Sequence, residues 1–85
     1  MQTMKFDYDK KFDTLYVALG DRKNSYGDDS LNGVVLMRDI DTDDIRGITI
    51  LKFLKKFETQ SIPVLPNGLN RLIEKDIAPL VQAEG

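Results

Sequence analysis

The hydrophobic residues of this chain repeat with two different periods, which divide it into a strand-rich part and a helical part. In the first part, apolar side chains alternate with polar ones, as they do in β-strands that bury one face. Strands are predicted over residues 4–8, 14–19, 34–40 and 45–51. A short polar connection at 9–13 predicts that the first two strands form a hairpin.

The segment 33–51, which reads GVVLMRDIDTDDIRGITIL, is predicted to be a second hairpin around which the domain is organised. Its first strand is apolar on both faces. Val34 and Leu36 lie on one face, and the alternate residues Val35 and Met37 lie on the other. A strand with two apolar faces is typical of a sheet that is covered on both sides. We therefore expect a helix of this chain or a dimer partner to cover the second face.

The segment 20–32, GDRKNSYGDDSLN, is rich in glycine, aspartate, serine and asparagine and is predicted to be a loop. A short edge strand near 22–26 is the alternative. Asn32 and Gly33 favour a turn with positive φ just before the next strand. With a loop here, the sheet has four strands.

Beyond Ile50 the apolar period lengthens to three and four residues, which is typical of an amphipathic helix. Phe53, Leu54 and Phe57 continue this stripe. A short helix is therefore predicted over 51–58.

Two prolines, at positions 63 and 66, exclude a helix over 59–66. A second apolar stripe then predicts a helix over 68–75, with one or two further turns. Pro79 lies in this stripe and removes one backbone donor. The helix either kinks at Pro79 or stops near Asp76 and restarts with Asp76 as its N-cap.

Together these elements predict one α+β domain over 1–85, an antiparallel four-stranded β-meander packed against C-terminal helices. A chain of 85 residues buries only about 60–65% of its unfolded surface, so its margin of stability is small. A homodimer or another protein partner is therefore expected.

Composition narrows the classes of function. The chain contains 41% hydrophobic and 31% charged residues, which is ordinary for a folded domain. It has no histidine and no cysteine, which excludes the histidine relay of serine hydrolases, zinc–thiolate sites and thiol nucleophiles. We predict no enzyme activity, no catalytic residue, no cofactor and no bound metal.

No apolar segment of the sequence predicts a membrane location. Residues 1–13 lack the apolar core of a signal peptide, and the longest aliphatic run covers only 34–37. A cytoplasmic location without a membrane partner is expected.

The acidic segment 39–44, DIDTDD, spaces its aspartates like the opening of a calcium-binding loop. Asp44 stands where that loop needs glycine, Ile50 stands where it needs glutamate, and the flanks are strands rather than helices. We favour a solvated hairpin turn, because aspartate side chains readily bond to the turn backbone. A small metal-dependent hydrolase that uses clustered aspartates is the alternative function.

Lys52, Lys55 and Lys56 lie at helical spacing and suggest a basic patch for RNA or DNA. The net charge of −2 and the lack of an aromatic-rich recognition motif weigh against nucleic acid. We favour the solvated face of an amphipathic helix. A nucleic-acid-binding accessory protein that uses the Lys52–Lys56 face is a further alternative.

A distinctive block, YDKKFDTLYVAL, covers residues 8–19, and a second block, GITIL, covers 47–51. Over about residues 4–58 the chain resembles the YuzE-like family of small bacterial proteins. That family has a recurring Y-D-x-x-x-D-x-L-Y-I-x-L opening and a G-I-x-I-L strand that leads into a short helix. The matching residues are Tyr8, Asp9, Asp13, Leu15, Tyr16, Leu19, Gly47, Ile48, Ile50 and Leu51.

The chain departs from the family where Asp44 replaces a turn glycine and Lys52 replaces an aspartate. The Pro-containing linker and C-terminal helix over 59–85 lie outside the match. The resemblance implies an antiparallel meander backed by a C-terminal helix. It implies no enzyme activity, because the family has no assigned function. Such small proteins often lie beside toxin-like or mobile-element genes, which implies a binding role.

The predicted function is a non-enzymatic protein–protein interaction module. It would act as an antitoxin-like protein, or as a phage or mobile-element accessory protein, that binds and inhibits a protein partner. The two-sided strand and the apolar C-terminal helix are the basis of this prediction. The predicted partner-binding residues are Val35, Met37, Phe53, Phe57, Leu72 and Ile73.

Overall fold

The computed structural model of the protein describes residues 5–20, 24–31 and 33–84, which form a five-stranded antiparallel sheet with helices on one face. The strands are β1 (Lys5–Asp9), β2 (Thr14–Ala18), β3 (Ser25–Leu31), β4 (Val34–Asp39) and β5 (Ile45–Leu51). The helical segments are α1 (Phe53–Glu58), a 3₁₀ turn (Pro66–Gly68), α2 (Leu69–Leu72), a π-helical turn (Ile73–Ile77) and α3 (Ala78–Glu84). The predicted α+β class is confirmed.

The number and order of the strands differ from the prediction. Within the described residues the sheet has five strands in the order β1-β2-β5-β4-β3, where a four-stranded meander was expected. The additional strand is β3, whose polar sequence SYGDDSL lies at the edge of the sheet. An edge strand buries little surface, so β3 lacks the hydrophobic period of a strand. Because β2 pairs with β5, the chain does not follow a simple meander.

Three of the predicted positions cannot be compared with the structure. Met4 begins the first predicted strand, Arg22 begins the alternative edge strand, and Asn32 belongs to the predicted turn before β4. All three lie outside the described residues.

The predicted hairpin over 33–51 is confirmed and supplies the centre of the sheet, where β5 lies between β2 and β4. Paired residues of antiparallel strands point to the same side. Two rows of such neighbours form one apolar face, namely Leu15–Ile50–Val34 and Val17–Ile48–Leu36. Each of these side chains is at most 2% exposed, so this face is the floor of the core.

The helical part covers that floor and completes the core. Its buried residues are Phe53, Leu65, Leu69, Ile73, Ile77, Ala78 and Val81. The apolar stripe of the C-terminal segment therefore packs on the sheet, as amphipathic helices generally do.

The chain stays helical from α2 through the π-helical turn into α3. The Ala78 N–H donates to the Ile73 carbonyl, five residues back, where an α-helix would bond four residues back. This wider turn comes immediately before Pro79, whose ring would clash with the carbonyl four residues earlier in a regular helix. The predicted alternative in which the helix stops and restarts at Asp76 is wrong, because Asp76 lies inside the π-helical turn.

Candidate functional site

The face of the sheet opposite the helices is the candidate functional site. Alternate residues of β2, β4 and β5 point away from the core onto this side. We call it the open face and define it by Tyr16, Ala18, Val35, Met37, Thr49 and Leu51. Within the described residues no helix lies on this side, since the buried helical side chains all join the core on the other side.

The open face is apolar and only partly shielded. Tyr16 is 42% exposed and Leu51 is 46% exposed, while Val35 and Met37 are half-buried between neighbouring strands. Val34, the neighbour of Val35 in the same strand, is 1% exposed. The described part of the chain therefore covers one face of β4 and leaves its second apolar face in contact with solvent.

Charged residues of β1 border the open face. Asp7 pairs with Tyr16, and Lys5 pairs with Ala18, so both charged side chains stand on the same side as the open face. Both are exposed. An apolar centre with a charged margin is the arrangement found in protein–protein interfaces.

The structure does not bring the predicted partner-binding residues together on one surface. Val35 and Met37 lie on the open face. Phe53 and Ile73 lie in the core, where they are 0% and 1% exposed. Burial inside the chain accounts for the apolar character of these two residues, and we do not assign them to the site.

The remaining two predicted residues, Phe57 and Leu72, are half-buried on the helical side of the molecule. Phe57 lines a shallow cleft with Ile62 and Glu74. Leu72 lines a different cleft, with Arg46 among its neighbours. Both clefts are separate from the open face.

Tyr16 and Leu51 belong to the open face although neither was predicted to bind a partner. The sequence contained a signal for both, because each alternates with a core residue of its own strand. The pairing of β2 with β5 had no such signal, and it is this pairing that places Tyr16 and Leu51 on the same surface as Val35.

The acidic turn between β4 and β5 is closed by hydrogen bonds to its own backbone, as predicted for a hairpin turn. Asp39 Oδ1 accepts hydrogen bonds from the N–H groups of Asp41 at 2.8 Å and Thr42 at 3.1 Å. These two backbone bonds lower the pKa of Asp39. Asp43 adopts φ 63, and its N–H donates to the Asp39 carbonyl at 2.9 Å.

The turn between β1 and β2 has the same D-x-x-x-D spacing and the same construction. Asp9 Oδ1 accepts hydrogen bonds from the N–H groups of Lys11 at 2.9 Å and Phe12 at 3.3 Å. The last residue, Asp13, adopts φ 51, again in the left-handed region. Both turns thus use their first aspartate to close the backbone and their last to reverse it.

A tyrosine hydroxyl donates to the last aspartate of each turn. Tyr8 Oη lies 2.5 Å from Asp13 Oδ1, and Tyr26 Oη lies 2.6 Å from Asp43 Oδ1. The bond to Asp43 raises the pKa of Tyr26. No group of three or more potential metal-ligating side chains comes together within residues 5–20, 24–31 and 33–84. The aspartates at the ends of the two turns bond to the turn backbone and to the tyrosines.

Asp13 also caps α1 from a distance. Its Oδ1 accepts a hydrogen bond from the Leu54 N–H at 2.9 Å, and its Oδ2 accepts one from the Lys55 N–H at 3.3 Å. Its carbonyl accepts a third from the Phe53 N–H at 2.7 Å. Lys52, which precedes the helix with φ 54, supplies no side-chain cap. The carboxylate thus accepts hydrogen bonds from N–H groups that have no acceptor within the first helical turn. Its negative charge also interacts favourably with the positive end of the helix dipole.

This environment moves the pKa values of Tyr8 and Asp13 in opposite directions. Burial, followed by the hydrogen bond to Asp13, raises the pKa of Tyr8 to about 12. Burial acts to raise the pKa of Asp13 as well, but the hydrogen bonds from Tyr8 and from the α1 backbone outweigh it and lower that pKa. At neutral pH the pair is a phenol bonded to an ionised carboxylate. Tyr8 and Asp13, two residues of the distinctive block over 8–19, therefore have a structural role in this chain.

The three lysines near α1 do not act alike. Lys56 Nζ donates to the Leu51 carbonyl at 2.5 Å and lies above Gly33, where an added Cβ would be 2.6 Å from it. Lys52 occupies the left-handed turn before α1, and Lys55 is exposed. Because one of the three amino groups is engaged within the chain, the patch available to a phosphate backbone is smaller than the sequence suggested.

No protein-family model matches the chain, and neither a curated protein nor a solved structure matches it. The resemblance to the YuzE-like family therefore stays a prediction. None of the helices in the described part of the chain is long and apolar enough to span a membrane.

Proposed function

We propose that the protein is a non-enzymatic protein–protein interaction module that binds a protein partner through the open face. The observation that carries this proposal is the apolar surface of Val35, Met37, Tyr16 and Leu51, which no described element covers. Removing such surface from water stabilises a complex by roughly 25 cal/mol per Å². A partner that covered the open face would supply the second apolar layer that β4 lacks.

The shape of the open face favours a protein over a small molecule as the partner. Small ligands generally bind in concave pockets that enclose most of their surface. The open face is instead the broad side of a sheet, with Lys5 and Asp7 along its β1 margin. Such a surface suits another sheet or a helix that lies across it.

Site-specific photo-cross-linking in native cells tests the proposal. A photoreactive phenylalanine analogue at Tyr16 would report contacts of the open face, and the same analogue at Val64 is the matched control. Val64 is an apolar residue that is 88% exposed in the segment between α1 and the 3₁₀ turn. We expect a defined protein adduct from position 16 and none from position 64.

A second variant shows whether that adduct depends on the open face as a whole. Leu51→Lys adds a charge to the same surface, so it should abolish the adduct formed at position 16. Val64→Lys adds the same charge elsewhere and should leave it intact. Both substitutions should change the free energy of unfolding by less than about 0.5 kcal/mol, as exposed substitutions usually do. Equal adducts at the two probe positions, or none at position 16, would contradict the proposal.

The narrower form of this proposal is that the protein inhibits its partner, as an antitoxin-like protein or a phage or mobile-element accessory protein would. The resemblance to the YuzE-like family supports it. Co-expression with the cross-linked partner, once identified, should suppress that partner's activity, and Leu51→Lys should release it. The metal-dependent and nucleic-acid-binding alternatives gain no specific observation, since the turn aspartates and Lys56 are engaged within the fold.

A further inference from the structure

The outer edge of β1 is regular, whereas the opposite edge of the sheet is interrupted. β1 lies at one end of the strand order, and all five of its residues pair with β2 without a bulge. At the other end, the pairing of β3 with β4 shifts register between Asp28 and Leu31. A bulge protects an edge from pairing with another strand. Since β1 has no bulge, its backbone can accept a further strand.

The side chains of β1 restrict what that strand can be. Phe6 and Tyr8 are half-buried and pack against the core on the helical side. Lys5 and Asp7 are exposed on the other side, and neither forms an ion pair with another described residue. A strand that extends the sheet must place apolar residues beside Phe6 and Tyr8. It must also place complementary charges beside Lys5 and Asp7.

In one antiparallel register, a second copy of β1 gives Lys5 and Asp7 complementary charges and gives Phe6 an apolar neighbour. With Phe6 opposite Phe6 of the second copy, Lys5 lies opposite Asp7 of that copy, and symmetry repeats this pair. Centring the pairing on Asp7 would place Lys5 opposite Asp9 and Phe6 opposite Tyr8, but it leaves both Asp7 side chains opposite each other, without a complementary charge. Centring it on Lys5 opposes two lysines. Centring it on Tyr8 places Asp7 against Asp9. Registers between these would place apolar residues opposite charged ones.

We propose that the protein forms a homodimer by antiparallel pairing of β1 with β1 of a second copy, with the two Phe6 side chains opposite each other. The two-fold axis then stands perpendicular to the sheet, so the sheet continues across both copies and both open faces point to the same side. Within β1 this register pairs three residues of each copy, Lys5, Phe6 and Asp7, which makes a small interface. We therefore expect weak association, with a Kd of roughly 10 μM to 1 mM. This dimer does not depend on the open face binding a partner.

Cysteine pairs test the register directly, because the chain contains no cysteine. The variants Lys5→Cys and Asp7→Cys are each oxidised alone and as an equimolar mixture. In the proposed register, position 5 lies opposite position 7, so the mixture should form a disulfide-linked dimer while each variant alone remains largely uncrosslinked. Rapid self-crosslinking of Asp7→Cys or of Lys5→Cys, or no preference for the mixture, would overturn the register.

Exchanging the charges tests whether the two Lys5–Asp7 pairs stabilise the dimer. Sedimentation equilibrium should show that Lys5→Asp and Asp7→Lys each weaken association by roughly tenfold, because each creates two like-charge pairs. The double variant, which restores both pairs with reversed polarity, should associate like the original chain. The matched controls are Lys75→Asp, Asp76→Lys and their combination, which make the same changes at exposed positions of the π-helical turn. We expect no change in association from these.

Besides the cross-linking results that would overturn the register, two outcomes would overturn the dimer itself. One is a chain that stays monomeric up to about 1 mM, the upper limit expected for so small an interface. The other is a dimer whose Kd is unaffected by Lys5→Asp and Asp7→Lys. Loss of the open-face adduct in Leu51→Lys concerns the partner instead, so the two proposals can fail separately.

Discussion

Asp13 connects two elements that lie far apart in the sequence, the β1–β2 turn and α1. The same residue ends the β1–β2 turn in a left-handed conformation, accepts the Tyr8 hydroxyl and caps α1. The carboxylate that ends this acidic turn is bonded to the Tyr8 hydroxyl and to two N–H groups of α1. Its removal should therefore weaken the contact between the first hairpin and the helix rather than alter only a surface loop.

We expect Asp13→Asn to lower the free energy of unfolding by about 1 kcal/mol at pH 7, the usual effect of losing a helix cap. The folded state lowers the Asp13 pKa below its ordinary value of 3.8. The ionised carboxylate therefore stabilises the fold above that value, and its contribution is lost as the pH falls through the lowered pKa. Urea unfolding of both chains across acidic and neutral pH should show their difference shrinking at low pH.

Asp44→Asn is the control for this series, because the Asp44 side chain accepts no hydrogen bond from another described residue in the structure. Its effect should stay within about 0.5 kcal/mol. A difference between the original chain and Asp13→Asn that is constant from pH 7 to strongly acidic conditions would argue against the cap.

At the scale of elements, the start of β4 depends on a glycine. Gly33 has φ +74, a conformation that side chains disfavour, and the amino group of Lys56 occupies the space beside its Cα. That amino group bonds to the Leu51 carbonyl, so the glycine lets α1 lean on the end of the central hairpin. Gly68 has a similar φ of +68, but a Cβ added there would meet no described atom within 4 Å.

Gly33→Ala should therefore destabilise the protein more than Gly68→Ala does. The left-handed backbone costs about 1–2 kcal/mol in either case, and at Gly33 the added methyl group also displaces Lys56 from Leu51. Urea unfolding measures both values. In a Lys56→Ala background the two glycine substitutions should cost the same, and a larger cost at Gly33 in that background would contradict the steric argument.

At the scale of the whole molecule, the helices of the described residues pack on one side of the sheet, and no described element covers the other side. Phe53 is the largest fully buried side chain and contacts the rings of Tyr8 and Phe57. It therefore connects the first hairpin with α1, within the core cluster that also contains the central hairpin. The stability of so small a domain depends strongly on such a residue.

Phe53→Ala should lower the free energy of unfolding by about 3–5 kcal/mol, as expected for a large buried side chain. Leu80→Ala is the control, because Leu80 is 55% exposed in α3. Thermal and urea unfolding should show a large loss in the first variant and little change in the second. If Phe53→Ala folded with nearly unchanged stability, the assignment of Phe53 to the core rather than to a binding surface would be wrong.

Much of the fold could be predicted from the sequence, and the parts that could not be predicted have physical reasons. The strands of both hairpins follow an alternation that their own side chains carry, so β1, β2, β4 and β5 were predictable. β3 is polar because it lies at an edge, and no local period distinguishes it from a loop. Pro79, which lacks a backbone donor and carries a bulky ring, pointed to an irregular helix, but the sequence did not predict the π-helical turn, whose Ile73 and Ile77 are buried in the core.

The candidate site was predictable in part. The two apolar faces of β4 pointed to Val35 and Met37, which do lie on the open face. Phe53 and Ile73 carry the same apolar signal, although they are buried within the chain. Hydrophobicity alone does not distinguish a residue that packs in the core from one that lies on an exposed binding surface.

The sequence by itself determined the alternation of the strands, the position of the central hairpin, the two acidic turns and the lack of histidine and cysteine chemistry. Each of these depends on residues a few positions apart. Only the tertiary structure decided that β2 pairs with β5, that Asp13 bonds to the first turn of a helix 41 residues later and that the described helices leave one face of the sheet uncovered. These features arise from contacts between distant segments, and their free energy depends on how those segments pack rather than on any local period.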